Sequence, residues 1–548
     1  MSRIHFQKRR NFLRGAAALT ASGAVSSFVP QLSLMGTALA QGAPTGYKAL
    51  VCIYLSGGND SWNLLIPGDD STNIPVEGRS PRAGFNPTPY GWYVTSRGGL
   101  HEGNASALGL IKPGGSDPGT QFLPPALGIL GNQYGLNPAV PELQTLFNSG
   151  RLAFLANVGP LVEPLRRSTF NSFRRPPQLY SHNDQTSLWQ IGGGASATVS
   201  QGWGGRMAGS LLGTAPGSGL APCISIAGQT RFLVGEYPDD TVLSPFRMSS
   251  SSTTPATTLN NYNSGDTAGS KRREILQGLL DIAYPQAMSN AYGDVLDRSM
   301  QLSIGINNEI AALSAAGSVY AAFNTAVSAI PDTTSIGQQL RQVARMIAVS
   351  RFGRGNIQAN RQVFYVSTGG YDTHSGQING TRPNGSGVWA GHQGLLQQVA
   401  QAMKGFNDAL NVLNQVSGYT GVKDEVMTFT NSEFSRTINS NGAGTDHAWG
   451  AVQMVMGPVT AAQVYGRYPL QLLNRSFGAG GPDQWGECFN RGEFLPSIAV
   501  DQVAATLARW MGVGDADLPI IFPNLDTFAG AHANQSVMAY NTRTLPFL

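Results

Sequence analysis

The chain has 548 residues, of which 12% are charged and 68 are glycine, with 36 basic against 32 acidic side chains. The formal net charge of +4 comes from the first forty residues, which hold Arg3, Lys8, Arg9, Arg10 and Arg14 and no acid. Without those five the balance is 31 basic to 32 acidic, about −1, which excludes the basic footprint of a nucleic-acid or anionic-membrane binder.

In chain order, Arg9-Arg10-Asn11-Phe12-Leu13, a mildly apolar stretch over 15–29 and the small residues Thr37-Ala38-Leu39-Ala40 read as a twin-arginine signal cut after Ala40. The stretch is too weakly apolar for a permanent membrane span. The expectation is a periplasmic or secreted protein handled by the twin-arginine export machinery, a route that accommodates a metal loaded before export. Short apolar runs of strand type follow at 49–55, 152–158, 223–227, 363–367, 426–430 and 451–456. Between them, apolar residues three and four apart predict helices. One carries Leu395, Val399, Met403, Phe406 and Leu410, a second covers 339–350, and a third covers 498–511, closed by Gly512. This alternation predicts a single α/β domain over 46–530, with a largely parallel central sheet and helices on both faces. Gly-, Pro- and Ser-rich stretches near 67–120 and 248–270 read as long surface loops inserted into it, and 531–548 as a C-terminal tail. Cys52, Cys223 and Cys488 are too far apart in sequence for a CxxC metal pair.

In such sheets functional groups gather just beyond the carboxyl ends of the strands, and four clusters stand out, three after apolar runs and the fourth directly before the run at 451–456. Asp60 lies in Gly57-Gly58-Asn59-Asp60-Ser61, Asp372 and His374 in Gly369-Gly370-Tyr371-Asp372-Thr373-His374, Glu433 in Ser432-Glu433-Phe434-Ser435-Arg436-Thr437, and Asp446 and His447 in Gly444-Thr445-Asp446-His447. Carboxylates and imidazoles on loops from separate strands are the donors of a zinc or mixed divalent site, and two ions about 4 Å apart could clamp a phosphate or sulfate. A lone Asp in a glycine-rich turn is more often a backbone cap. The set of four is what points to metal. A fifth cluster, Ser181-His182-Asn183-Asp184, opens a helix containing Trp189. Ser181 is either its N-cap or a nucleophile in the positive field of the helix end. Arg174, Arg175 and Arg206 are candidates to hold a negative substrate.

These motifs, together with Gly202-Trp203-Gly204-Gly205-Arg206 and in this order, resemble the exported family known as domain of unknown function 1501, itself similar to the alkaline phosphatase and sulfatase superfamily. The resemblance implies an alkaline-phosphatase-like fold with one or two divalent metals at the strand ends. Asp60 resembles the first-strand metal aspartate, Asp372 and His374 the mid-chain Asp/His pair, and His447 the late histidine ligand. The mid-chain pair here is separated by one residue instead of three, and Glu433 stands where the superfamily prefers an Asp-His pair.

The reading is an exported metal-dependent hydrolase of phosphate or sulfate esters. Asp60, Asp372, His374, Glu433, Asp446 and His447 are expected near the metal, with Asp446 either a ligand or the group that orients His447. Zinc is the first choice, with magnesium, calcium and manganese as the others. Ser181, Ser61 or water is the nucleophile, and His182 and Arg436 stabilise charge. The substrate is an anionic small molecule or a glycan ester, with no nucleic-acid partner. The alternative is a non-catalytic exported protein that keeps the fold to bind a glycan, a cell-wall component or a partner protein.

Overall fold

The computed structural model describes residues 46–67, 134–192, 200–212, 222–236, 242–250, 267–282, 287–352 apart from 316, 359–378, 389–466, 491–530 and 538–548, with isolated positions between, among them Tyr93 and Arg97. The signal at 1–40 and most of the insertion at 67–120 lie outside the described residues.

Among the described residues nine strands form one sheet: β1 (Lys48–Leu55), β2 (Leu152–Gly159), β3 (Cys223–Ser225), β4 (Phe246–Arg247), β5 (Arg361–Thr368), β6 (Val426–Asn431), β7 (Ala451–Met456), β8 (Val464–Gly466) and β9 (Ile498–Ala499). Their spatial order is β8-β2-β7-β6-β1-β5-β3-β4, with β9 also paired to β2. Every pairing is parallel except the two made by β7, which is antiparallel to β6 and to β2. A single reversed strand in a mostly parallel sheet is the mixed α/β architecture expected.

The two faces of β1 divide the core. Ala49, Val51, Ile53 and Leu55 belong to one apolar cluster with α3 (Ser335–Phe352) and α4 (Gly391–Leu413), while Leu50 and Cys52 belong to another with α2 (Trp203–Leu212) and α5 (Val500–Met511); α1 (His182–Ile191) supplies Trp189 to the second. Both faces are therefore covered by helices, which is why β1 reads as a continuous apolar run rather than an alternating one. The predicted helix at 498–511 starts two residues later, because Ile498 and Ala499 pair with Val158 and Gly159 first. It does end at Gly512, whose φ of +114° provides the left-handed cap. Residues 538–548, read as a tail, return to the core instead: Leu545 and Phe547 are buried, and Thr460 N donates to Phe547 O. Among the described residues no helix is long and apolar enough to cross a membrane.

Candidate metal centre

Register brings the sequence clusters together. Leu55 pairs with Thr368 and Tyr54 with Asn431, so β1, β5 and β6 finish level and release 56–60, 369–374 and 432–435 side by side. β7 runs the other way, so the residues that precede it, His447 among them, arrive at the same edge. Gly57, at φ +123°, lies so close to the Tyr371–Asp372 backbone that a Cβ would come within 2.3 Å of Asp372 N. At Gly58 a Cβ would meet the Phe434 ring, also at 2.3 Å. The glycines thus let two loops and an aromatic ring close around Asp372. Phe434 packs in turn on His182 and His447, with ring centroids 4.8 and 4.5 Å away.

Three imidazoles converge on one carboxylate oxygen. Asp372 Oδ1 lies 3.8 Å from His182 Nε2, 3.8 Å from His447 Nε2 and 3.3 Å from His374 Nε2. Each ring is turned by what its other nitrogen donates to: His182 Nδ1 to Glu433 Oε1 at 2.8 Å, His374 Nδ1 to Asp446 Oδ1 at 3.0 Å, and His447 Nδ1 to the Tyr180 carbonyl at 2.7 Å. With Nδ1 carrying the proton, each neutral ring offers its Nε2 lone pair to the centre. His182, Asp372 and His447 present ligand atoms within 4.8 Å of one another. Bonds of about 2.0–2.1 Å put tetrahedral zinc ligands roughly 3.3 Å apart; Asp372 Oδ1 stands 3.8 Å from His182 Nε2 and from His447 Nε2, and the three ligand atoms lie within 4.8 Å of one another, so they could hold a single divalent ion once drawn slightly inward. His374 Nε2 stands 2.8 Å from His447 Nε2, a spacing at which two lone pairs repel unless a proton or a cation lies between them.

The charges are set to match. Burial alone would push the Asp372 carboxyl up, but the hydrogen bond from Arg436 and its positive charge hold it below the usual range. Burial likewise opposes ionisation of Glu433, and the hydrogen bonds from His182 and from Gly57 N outweigh it. Asp446 is held to about 2 by Asn441, His374 and Arg491 against its own desolvation. The hydrogen bond to Glu433 raises the His182 pKa above the ordinary value. Burial lowers that of His447, aided by the Arg436 charge and opposed by the Tyr180 carbonyl.

Several sequence expectations are corrected. Asp60 does not join the cluster: it is fully buried, bonded through both oxygens to the Arg97 guanidinium and through Oδ2 to Gln377 Nε2 at 2.5 Å. Glu433 is a partner of His182, Gly57 N and Tyr54 OH, and faces the centre only through His182. Asp446 orients His374, not His447. His182, expected to stabilise charge, is one of the three mutually close donors. Arg436 is wholly buried; besides Asp372 its guanidinium serves the carbonyls of Gly57, Gly58 and Thr445, so it fixes the loops and Asp372 and is not open to a substrate. Ser181 caps α1, its Oγ accepting from Asp184 N at 3.5 Å and donating to Asp184 Oδ2 at 2.6 Å. Ser61 is buried, 3.1 Å from Ser435 Oγ and accepting from Val452 N. Arg206 is spent on the carbonyls of Gln201, Ile191 and Ile521, whereas Arg174 and Arg175 are exposed. Arg97 and Gln377 carried no signal in the sequence, since each owes its role to a partner far along the chain.

Fold and site together define an α/β protein with a His/Asp centre at the carboxyl edge of a largely parallel sheet. Residues 294–471 match the family described as protein of unknown function (DUF1501), a stretch that carries Asp372, His374, Glu433, Arg436, Asp446 and His447 but neither Asp60 nor His182. No curated protein matches the chain.

Proposed function

We propose that the protein is an exported, metal-dependent hydrolase of phosphate or sulfate esters whose single ion is held by His182, Asp372 and His447. The observation that carries this reading is the convergence of two imidazole Nε2 atoms on Asp372 Oδ1, each imidazole anchored through Nδ1 by Glu433 or the Tyr180 carbonyl. Three protein donors with an open position are the pattern of catalytic rather than structural zinc. Asp372 is 53% exposed, so an ester can reach the site. A divalent ion there would polarise the ester and acidify a water beside it.

The chain's own groups do the remainder. Arg436 keeps Asp372 ionised and in place, Glu433 keeps His182 in the Nδ1–H tautomer, and Phe434 limits rotation of both rings. His374 lies beside the three donors with Asp446 behind it, an Asp–His pair open to solvent. In that position it takes a proton from the attacking water and returns one to the departing alkoxide as the new bond to phosphorus or sulfur forms and the ester bond breaks. Water is the nucleophile in this account because the hydroxyls of Ser181 and Ser61 are engaged elsewhere. The alkaline-phosphatase-like fold and export through the twin-arginine route with cleavage after Ala40 belong to the same proposal; N-terminal sequencing of the exported protein checks the cleavage.

The test is hydrolysis of chromogenic aryl phosphate and aryl sulfate by purified protein. His447→Ala is expected to lose both metal and activity, and His374→Ala to lose activity while keeping metal. Unchanged metal content with altered partner binding in His447→Ala would favour the binding-protein alternative.

A further inference from the structure

The helix Thr267–Leu280 packs on the helix Ala287–Leu313. Its side toward that neighbour holds Arg273, Leu276, Gln277 and Leu280, all half-buried, and Gln301 Nε2 donates to Gln277 Oε1 at 3.5 Å. At about 100° per residue, Lys271, Ile275, Gly278 and Leu279 fall on the opposite side, and Ile282, in the turn that follows, continues the stripe. Ile275 is 65% exposed, Leu279 49% and Ile282 48%, half of the six large apolar side chains so exposed among the described residues. Between them Gly278 leaves a gap, since a Cβ there would have nothing within 4 Å. Charge is divided along the stripe. Lys271 stands at its start, with no ion-pair partner among the described residues. Asp281 stands beside its end, about 15 Å further along the axis, and accepts from Gln277 Nε2 at 3.3 Å. A carboxylate just past a helix C-terminus faces the negative carbonyls of that end and is relieved by a cation from outside.

We propose that this stripe is a self-association face, on which the helix pairs antiparallel with the same helix of a second copy of the chain about a two-fold axis. With the axis level with residues 276 and 277, Ile275 of each copy meets Gly278 and Leu279 of the other, and Lys271 reaches Asp281. The symmetry makes every contact twice. The gap at Gly278 lets the two helices approach closely, because side chains at the contact set the distance between axes. A parallel pair would instead set Lys271 against Lys271. An anionic bilayer, another surface that takes up an amphipathic helix, would meet Glu274 and Asp281 beside the same apolar residues. One helix from each copy buries less than the roughly 1,200 Å² of a standard interface, so dissociation in the micromolar range is expected. The pairing does not depend on the hydrolase reading.

The experiment is sedimentation equilibrium of the mature protein across the micromolar range, in which a dimer is expected to form as concentration rises. Ile275→Asp is expected to weaken it at least about a hundredfold, because the pair loses two apolar side chains, and so to leave the chain monomeric with an unchanged circular dichroism spectrum. Should Ile275→Asp disturb the fold, the two charge reversals carry the test, since both lie at exposed positions. Lys271→Glu and Asp281→Lys are each expected to weaken the dimer about three- to tenfold, and the two together to restore wild-type association. A wild-type chain that stays monomeric throughout, a dimer indifferent to Ile275→Asp, single reversals without effect, or a combination no better than either reversal would overturn the proposal. So would a monomer that floats with phosphatidylglycerol vesicles and loses that binding in Ile275→Asp.

Discussion

Asp60 and Asp372 leave adjacent strands of one sheet through similar glycine-rich loops, yet the structure uses them oppositely. Asp60 is buried, and its charge is answered by Arg97 and Gln377. Beside it His392, also buried, sits between Asn59 Oδ1 at 2.8 Å and Asn63 Nδ2 at 3.2 Å. Asp372 is half exposed, and the oxygen that accepts from Arg436 also faces the Nε2 atoms of three imidazoles. Each carboxylate has an arginine, Arg97 for Asp60 and Arg436 for Asp372; what separates them is that Asp60 is sealed inside while Asp372 is half exposed and faces imidazoles. Gln377 joins the two regions, since its Oε1 accepts from Thr445 Oγ1 at 2.6 Å and from Thr373 Oγ1 at 3.3 Å, on the loops that carry His447 and His374.

The contrast breaks most visibly at Arg97. Arg97→Ala leaves the Asp60 carboxylate buried without a counter-charge and should cost about 3–5 kcal/mol in urea unfolding. Metal affinity of the folded variant should change little; a large loss of metal with intact stability would make Asp60 part of the centre after all.

Acid should next separate the two histidine environments. The buried His392 has its pKa depressed to about 4, chiefly by desolvation. Its Nε2–H donates to Asn59 while Nδ1 accepts from Asn63, whose Oδ1 is held by Tyr93 OH at 2.8 Å, so a second ring proton has no acceptor. The unfolded chain takes up this proton near pH 6.5 and the folded one only near 4, so stability falls as pH falls through that window, by on the order of 3 kcal/mol. Unfolding at pH 7 and pH 5 checks it, and His392→Gln should flatten the difference. Metal binding has its own pH dependence in the same direction. His182 must be neutral to ligate, and Glu433 holds its pKa up, so affinity should weaken by up to about tenfold per pH unit below neutrality. An affinity flat between pH 8 and 6 would contradict histidine ligation.

Smaller effects sharpen the assignment of roles. Glu433→Gln keeps an acceptor but not the charge that orients His182, and should weaken metal binding about 10–100-fold in a calorimetric titration. Ser181→Ala should cost only about 1 kcal/mol through the lost helix cap and leave hydrolysis in place. Abolished turnover with metal retained would restore Ser181 as the nucleophile.

Much of the scaffold was legible in the residues. Six apolar runs became six strands, because strands buried on both faces carry uninterrupted apolar side chains, and helices such as Gly391–Leu413 announced themselves by their apolar spacing. The reversed sense of β7 was not legible, since a buried strand reads alike in either direction. The hairpin Arg436–Ser440 with Thr445–His447 stayed hidden because its residues are polar and its pairing irregular. Within the site, motif order picked out Asp372, His374 and His447. It placed Asp60 with them because a Gly-rich loop looks the same whether its carboxylate is sealed against an arginine or left half exposed. That arginine, Arg97, sits in a segment without periodicity, and the bond from Glu433 to His182 spans 251 residues.

The central claim is tested most directly by titrating zinc into metal-free mature protein and its His447→Ala variant while counting bound ions by elemental analysis. One ion per wild-type chain, lost in His447→Ala together with ester hydrolysis while the fold persists, is the predicted result. A wild-type chain that binds no divalent ion, or a variant that binds it equally well, would contradict the account.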